Sequence, residues 1–139
     1  MKVVVCHDLM NGIMFNNRRT CHDVNQRKHL KQLINGANLY MSEYSYKKFS
    51  DIFPDAKIVH DVSSIKDDEF FWLENDLFNL NLDDVDEFIV YVWDNTFPSD
   101  FDFDYINNNF DKFSLIELGE FKDSIGDKFF VKKYLRKQR

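Results

Sequence analysis

The sequence is poor in cysteine, proline and glycine, with two, two and four of them among 139 residues. Two cysteines, Cys6 and Cys21, cannot build a disulfide framework. No apolar run approaches the length that spans a bilayer, so no membrane segment is expected. The start MKVVVC lacks the long apolar stretch of a secretory signal, and a cytoplasmic protein is the expectation. CxxC and HxxxH spacings are missing too. Cys6-His7-Asp8 recurs as Cys21-His22-Asp23, and Cys and His suit zinc, yet adjacent Cys and His cannot easily both ligate one ion. A coincidental repeat is therefore preferred, and no metal is expected. With no internal repeat, linker or low-complexity segment, residues 1–139 fit one domain, large enough to bury about two thirds of its unfolded surface without staples.

What is abundant is phenylalanine and acid. The chain is 44% hydrophobic and 17% aromatic, with fifteen Phe, too apolar for disorder despite its charge. Plentiful Asn, Asp, Lys, Ile and Phe are what AT-rich codons encourage, which points to a low-GC genome such as that of a phage or mobile element. The formal charge is −6 overall, but residues 61–124 hold eighteen acidic side chains against Lys66, Lys112 and Lys122. The flanking segments are both net basic. Such asymmetry indicates a charged macromolecular partner or a solvated acidic surface more readily than a small-substrate site.

Along the chain, Lys2–Cys6 reads as a buried strand and Asp8–Asn17 as a polar loop. Asp23 caps a helix whose stripe is Val24, Leu30, Leu33 and Ile34, with Gly36 at its left-handed end. Asn38–Met41 is a short strand, Ser42 a cap, and Glu43–Ile52 a second helix that stops before Pro54. Strands follow at Lys57–His60, Glu69–Leu73 and Glu87–Trp93, with helical turns at Asp76–Leu80 between the last two. Lys112–Phe121 and Lys128–Leu135 flank Asp123-Ser-Ile-Gly-Asp127 as an antiparallel hairpin. Early alternation and a late hairpin predict an α/β fold whose sheet is mixed at one edge.

This order, with particular residues in it, resembles dihydrofolate reductase over nearly the whole chain. KVVVC followed by Asn11-Gly12-Ile13 and Asn16-Asn17 looks like that family's first strand and active-site loop. HLKQLINGANLYMSEYSYKKF, residues 29–49, is similar to its substrate-side helix, second strand and cofactor-side helix. Pro54 with Lys57–His60, the run Val85–Val90, Asp100–Phe103 and the hairpin ending FFVKKYLRK match later pieces. The resemblance implies a three-layer fold with a mixed central sheet and a C-terminal antiparallel hairpin. The interval from Lys57–His60 to Glu69–Leu73 is too short for the family's extra strand and helix, so the cofactor subdomain is expected to be truncated.

The functional positions depart from the pattern. Where the family carries one carboxylate to anchor and protonate a pterin, this chain has Gln26, which cannot ionise. Losing positioned acid–base help costs on the order of 10²–10⁴ in rate. Asp23, three residues earlier, lies near the same helix face but is also the best N-cap. The Gly-Gly turn that cradles cofactor phosphates corresponds to Phe71-Trp72-Leu73-Glu74-Asn75-Asp76, with no glycine and two acids. Glu43 and Ala56 replace two basic anchors, while Ser45 keeps a hydroxyl.

The expectation is a non-catalytic protein of this fold, without a cofactor, acting through its acidic half on a protein with a basic surface. The candidate surface is Asp83, Asp84, Asp86, Glu87, Asp94, Asp100, Asp102 and Asp104. The two-residue spacing of Asp100, Asp102 and Asp104 puts them on one side of an extended segment, with Phe101 and Phe103 toward the core. Imitation of nucleic acid against a host protein is the sharpest form of the binding reading, and edge protection is the competing reading of that row. The alternative is an NADPH-dependent reductase of dihydrofolate or a related pteridine, with Asp23 or a water as acid and Ser45 at the cofactor. Direct nucleic-acid binding by Arg18, Arg19, Arg27, Lys28 and Lys31, or by Lys132, Lys133, Arg136, Lys137 and Arg139, is disfavoured by the overall acidity. Phe70, Phe71 and Trp72 are read as core.

Overall fold

The computed structural model of the protein describes residues 1–75 and 79–138. In chain order the elements are strands β1 (Lys2–His7), β2 (Gly12–Phe15) and β3 (Arg18–Arg19), helix α1 (Val24–Ile34), β4 (Leu39–Met41), α2 (Glu43–Phe49), β5 (Lys57–Ile58) and β6 (Phe70–Trp72). Then come β7 (Glu87–Trp93), β8 (Phe101–Asp102), α3 (Tyr105–Asn108) and the hairpin strands β9 (Phe113–Lys122) and β10 (Lys128–Arg136). Among the described residues these build a main sheet in the order β5-β4-β6-β1-β7-β10-β9, with a small sheet β3-β2-β8 beside it. Five strands are parallel, and β10 runs antiparallel between β7 and β9, so the sheet is mixed.

Val3, Val4 and Val5 are all fully buried because β1 is covered on both faces, the condition that makes a parallel strand apolar throughout. Even-numbered Val4 and Cys6 face the helices and pack with Leu30, Ile34, Phe49, Trp72 and Tyr91. Odd-numbered Val3 and Val5 face the other way, with Phe88, Val90, Phe103 and Ile106. α1 and α2 form one outer layer, and β2, α3 and the intervening loops form the other. Both helix starts are set by their caps: Asp23 accepts from the Asn25 N–H and Ser42 from the Ser45 N–H. Among the described residues no helix is long and apolar enough to cross a membrane.

Some local expectations change. The loop expected over Asp8–Asn17 contains β2, because Asn16 and Asn17, at φ 50° and 60°, make the two-residue left-handed turn that closes a hairpin onto β3. The second helix ends at Phe49, three residues early, and Lys57–His60 keeps only two residues as an edge strand. At the end of α1 the left-handed conformation begins at Asn35 and continues through Gly36. The helical turns expected at Asp76–Leu80 fall on residues 76–78, outside the described residues; Asn79 has a positive φ and Leu80 is buried.

Candidate functional site

The C-terminal ends of β1, β4 and β6 converge on one buried polar cluster. Glu74 follows β6 and is 5% exposed; a carboxylate there requires partners. Arg19, on β3, supplies them, with Nε 2.8 Å from Oε2 and Nη2 3.0 Å from Oε1 in a two-pronged pair. Ser45 in α2 donates its hydroxyl to Oε1 at 2.6 Å, and the Arg19 guanidinium stacks 4.3 Å from the Tyr44 ring centre. Burial disfavours the Arg19 charge, but the hydrogen bonds and charge of Glu74 prevail and raise its pKa.

A second guanidinium lies beside the first. Arg27 of α1 and Arg19 both stand within 5.1 Å of the centre of the Phe49 ring, which stacks on Trp72. Arg27 is buried, its Nε and Nη1 have no hydrogen-bond partner, and burial lowers its pKa although Asp51 and Asp23 attract it. Gln26 is fully buried with both amide atoms unpartnered, and Nε1 of Trp72 and Nδ1 of His22 are in the same position.

Asp23 is spent elsewhere. Beyond capping α1, it accepts from the Ser124 N–H at 3.0 Å and from the Ser124 hydroxyl, tying the helix to the hairpin turn. Burial raises its pKa, but these hydrogen bonds win and hold it below the usual carboxylate range. The repeated Cys-His-Asp triplets do not converge. Strand alternation sends Cys6 to the helix side and His7 to the opposite face, and Asp8 is consumed by the N–H groups of Met10, Gly12 and Phe97. Burial pushes the Cys6 thiol up, and Cys21 up to about 12, so both stay protonated and inert at neutral pH. Among the described residues no three His, Cys, Asp or Glu side chains are grouped to hold a metal.

Neither protein-family models nor curated proteins match this chain. The site is therefore defined by its geometry alone.

The acidic residues divide. Asp100, Asp102 and Asp104 are exposed while Phe103 is buried and Phe101 half-buried, the alternation the spacing predicts. Their segment starts where Asp100 accepts from the Asn16 N–H and ends at Tyr105, whose hydroxyl donates to Asp83 at 2.7 Å. Arg136 fixes that junction by donating to the Tyr105 hydroxyl and to the carbonyls of Leu82 and Val85. Asp83 thus meets the end of that segment, and the exposed Asp84 and Asp86 follow it in the chain ahead of β7. Glu87 does not join it: it lies on the helix-side face, half-buried, 4.0 Å from Lys2. Asp94, at the opposite end of β7, is exposed but sits beside the hairpin, its N–H donating to the Lys128 carbonyl.

Four of the described basic candidates are engaged with the protein itself, and Arg139 lies outside the described residues. Arg19 and Arg27 are drawn into the cluster, Lys31 donates to the Ile52 carbonyl, and Arg136 is tied to the Leu82–Val85 turn. Phe70, Phe71 and Trp72 are buried core. The Arg19–Glu74 pair was the feature sequence reasoning missed: Glu74 falls at the phosphate turn and Arg19 among the basic candidates, and nothing in the sequence joins the two.

Proposed function

We propose that the protein is a dihydrofolate reductase-like scaffold in non-catalytic use, acting by binding a basic protein surface through the strip Asp83, Asp84, Asp86, Asp100, Asp102 and Asp104. The fold reading is supported by β1 at the sheet centre, by α1 and α2 on one face between β1 and β5, by a C-terminal hairpin beside β7, and by an edge that stops at the two-residue β5. The observation that carries the functional reading is the Arg19–Glu74–Ser45 network. In the resemblance this position cradles the phosphates of NADPH. Here a buried carboxylate replaces the glycine turn, Ser45 is committed to it, and the Ser45 N–H at the start of α2 is committed to Ser42. These residues do not fit a pyrophosphate.

The strip offers a partner a row of exposed carboxylates on a scaffold held by Tyr105 and Arg136. In a phage or mobile-element protein, such a row serves to imitate a nucleic-acid backbone and occupy a host protein. The test is calorimetric titration with a lysine-rich peptide of wild type, of D100N/D102N/D104N, and of D67N/D68N/D111N as a control of equal net charge. Binding lost only in the first variant supports the strip. Equal loss in both variants, or oligomers from the first with binding intact, contradicts it and favours general acidity or edge protection.

A further inference from the structure

On the face of the sheet opposite the two helices, β1, β7 and β10 leave a cavity of ≈190 Å³ that the cluster around Glu74 does not touch. The register explains it. His7 pairs with Val92 and Lys132 with Val90, so a histidine and a lysine rise from strands on either side of β7, two strand spacings across and two residues along, about 12 Å apart between Cα atoms. Between them Val90 and Val92 are short and form an apolar floor, walled by Phe103 and Asn107.

His7 is 9% exposed, and its Nδ1 lies 2.7 Å from the Asp8 carbonyl oxygen. A carbonyl only accepts, so Nδ1 carries the proton and Nε2 keeps a lone pair. No hydrogen bond to Nε2 is found among the described residues. Burial lowers the His7 pKa, outweighing the nearby Asp8, and Lys132 lowers it further, so the ring is neutral at neutral pH. The Lys132 ammonium makes no ion pair within 4.0 Å among the described residues. The Asp8 carboxylate, which also lines the cavity, is held by three backbone N–H groups. The cavity therefore presents a buried acceptor, a cation and an apolar floor.

The complementary ligand carries an O–H donor and a negative charge on one small group, attached to an apolar remainder. We propose that this cavity binds a small phosphate monoester in its singly protonated form. The P–O–H donates to Nε2 of His7, the anionic oxygens accept from Nζ of Lys132, and the organic substituent covers Val90 and Val92.

The test is an NMR titration of the full chain, following the His7 ring nitrogens and the amides of Asn107 and Lys132, with phenyl phosphate, phenyl sulfate and inorganic phosphate as probes. Saturable shifts with phenyl phosphate are expected. Lys132→Met, a part-exposed position that retains the aliphatic stem, should weaken that binding about tenfold or more through loss of a charge-assisted hydrogen bond. Phenyl sulfate has the same shape and charge but no O–H at this pH, and should bind at least about tenfold more weakly because Nε2 is left without a donor. Inorganic phosphate should bind more weakly as well; equal affinity would overturn the organic part of the assignment. Absence of saturation with phenyl phosphate, shifts centred on Arg18 or Lys28 instead, or unchanged affinity in Lys132→Met would overturn the site.

Discussion

Glu74 is the residue on which the interior of the cleft depends, because its charge is buried and its two oxygens hold Arg19 and Ser45. Glu74→Gln should destabilise the fold by roughly 3–5 kcal/mol, since it leaves the Arg19 guanidinium buried without its counter-charge. The double variant R19M/E74L should recover much of that loss, because removing both charges also removes the desolvation cost. Urea denaturation of the two variants checks both statements. His22 and Asp23 are among the groups that shape the pH dependence, beside His7 and His29, which burial also lowers. His22 has its pKa lowered to about 4, by burial first and then by Arg19 and Arg27, so the unfolded chain binds its proton more readily. Its contribution is fully present above the ordinary histidine range and is lost as pH falls toward 4. Asp23 is also depressed, and its contribution is lost at still lower pH, as its folded-state carboxyl protonates. His22→Gln should flatten the stability curve between about pH 6.5 and 4, and Ser124→Ala should weaken the part below it. At this scale the Asp23 cap was legible, because an Asx residue before an apolar stripe has one mechanism. Arg19 was not, because a basic residue on a polar loop gives no sign of turning inward unless the acid it meets is already placed.

At the scale of elements, strands whose apolar content is set by two-sided burial were legible: β1, β6 and β7 appear as near-continuous apolar runs. The small sheet was not. β2 is a four-residue apolar run set in an Asn-rich stretch and β3 is only Arg18-Arg19, and only the Asn16-Asn17 turn between them declares a hairpin. Asn17→Gly should leave stability unchanged or raise it slightly, while Asn17→Val should cost about 1–2 kcal/mol, because a β-branched side chain resists the left-handed conformation. A loosened β3 would release Arg19, so the valine variant should also expose the Trp72 environment in near-UV circular dichroism. The hairpin carries a different device. β9 is a ten-residue sheet edge with Leu115, Ile116 and Phe121 partly exposed, and a bulge at Gly119, φ 144°, interrupts it. A bulge and the charges Glu117, Glu120 and Lys122 are ordinary means of discouraging another strand from pairing.

For the whole molecule, the fold divides the eight candidate acids: Asp100, Asp102 and Asp104 lie on one exposed segment that meets Asp83, while Glu87 and Asp94 stand apart from it, a division that charge counting alone could not see. The two-residue spacing made the exposed side of Asp100–Asp104 legible, while the continuation to Asp83 depends on Tyr105 and Arg136, contacts 22 and 31 residues apart in sequence. Beneath α2 the protein's own Arg19 and Glu74 fill the place where a cofactor phosphate would have to sit. Titration of the purified protein with NADPH, read by calorimetry and by the shift in melting temperature, decides whether they exclude it. No saturable heat and no Tm shift are expected up to millimolar cofactor, for wild type and for Ser45→Ala alike. Saturable binding that raises Tm and is lost in Ser45→Ala would contradict that exclusion, because Ser45 would then be serving a phosphate rather than Glu74.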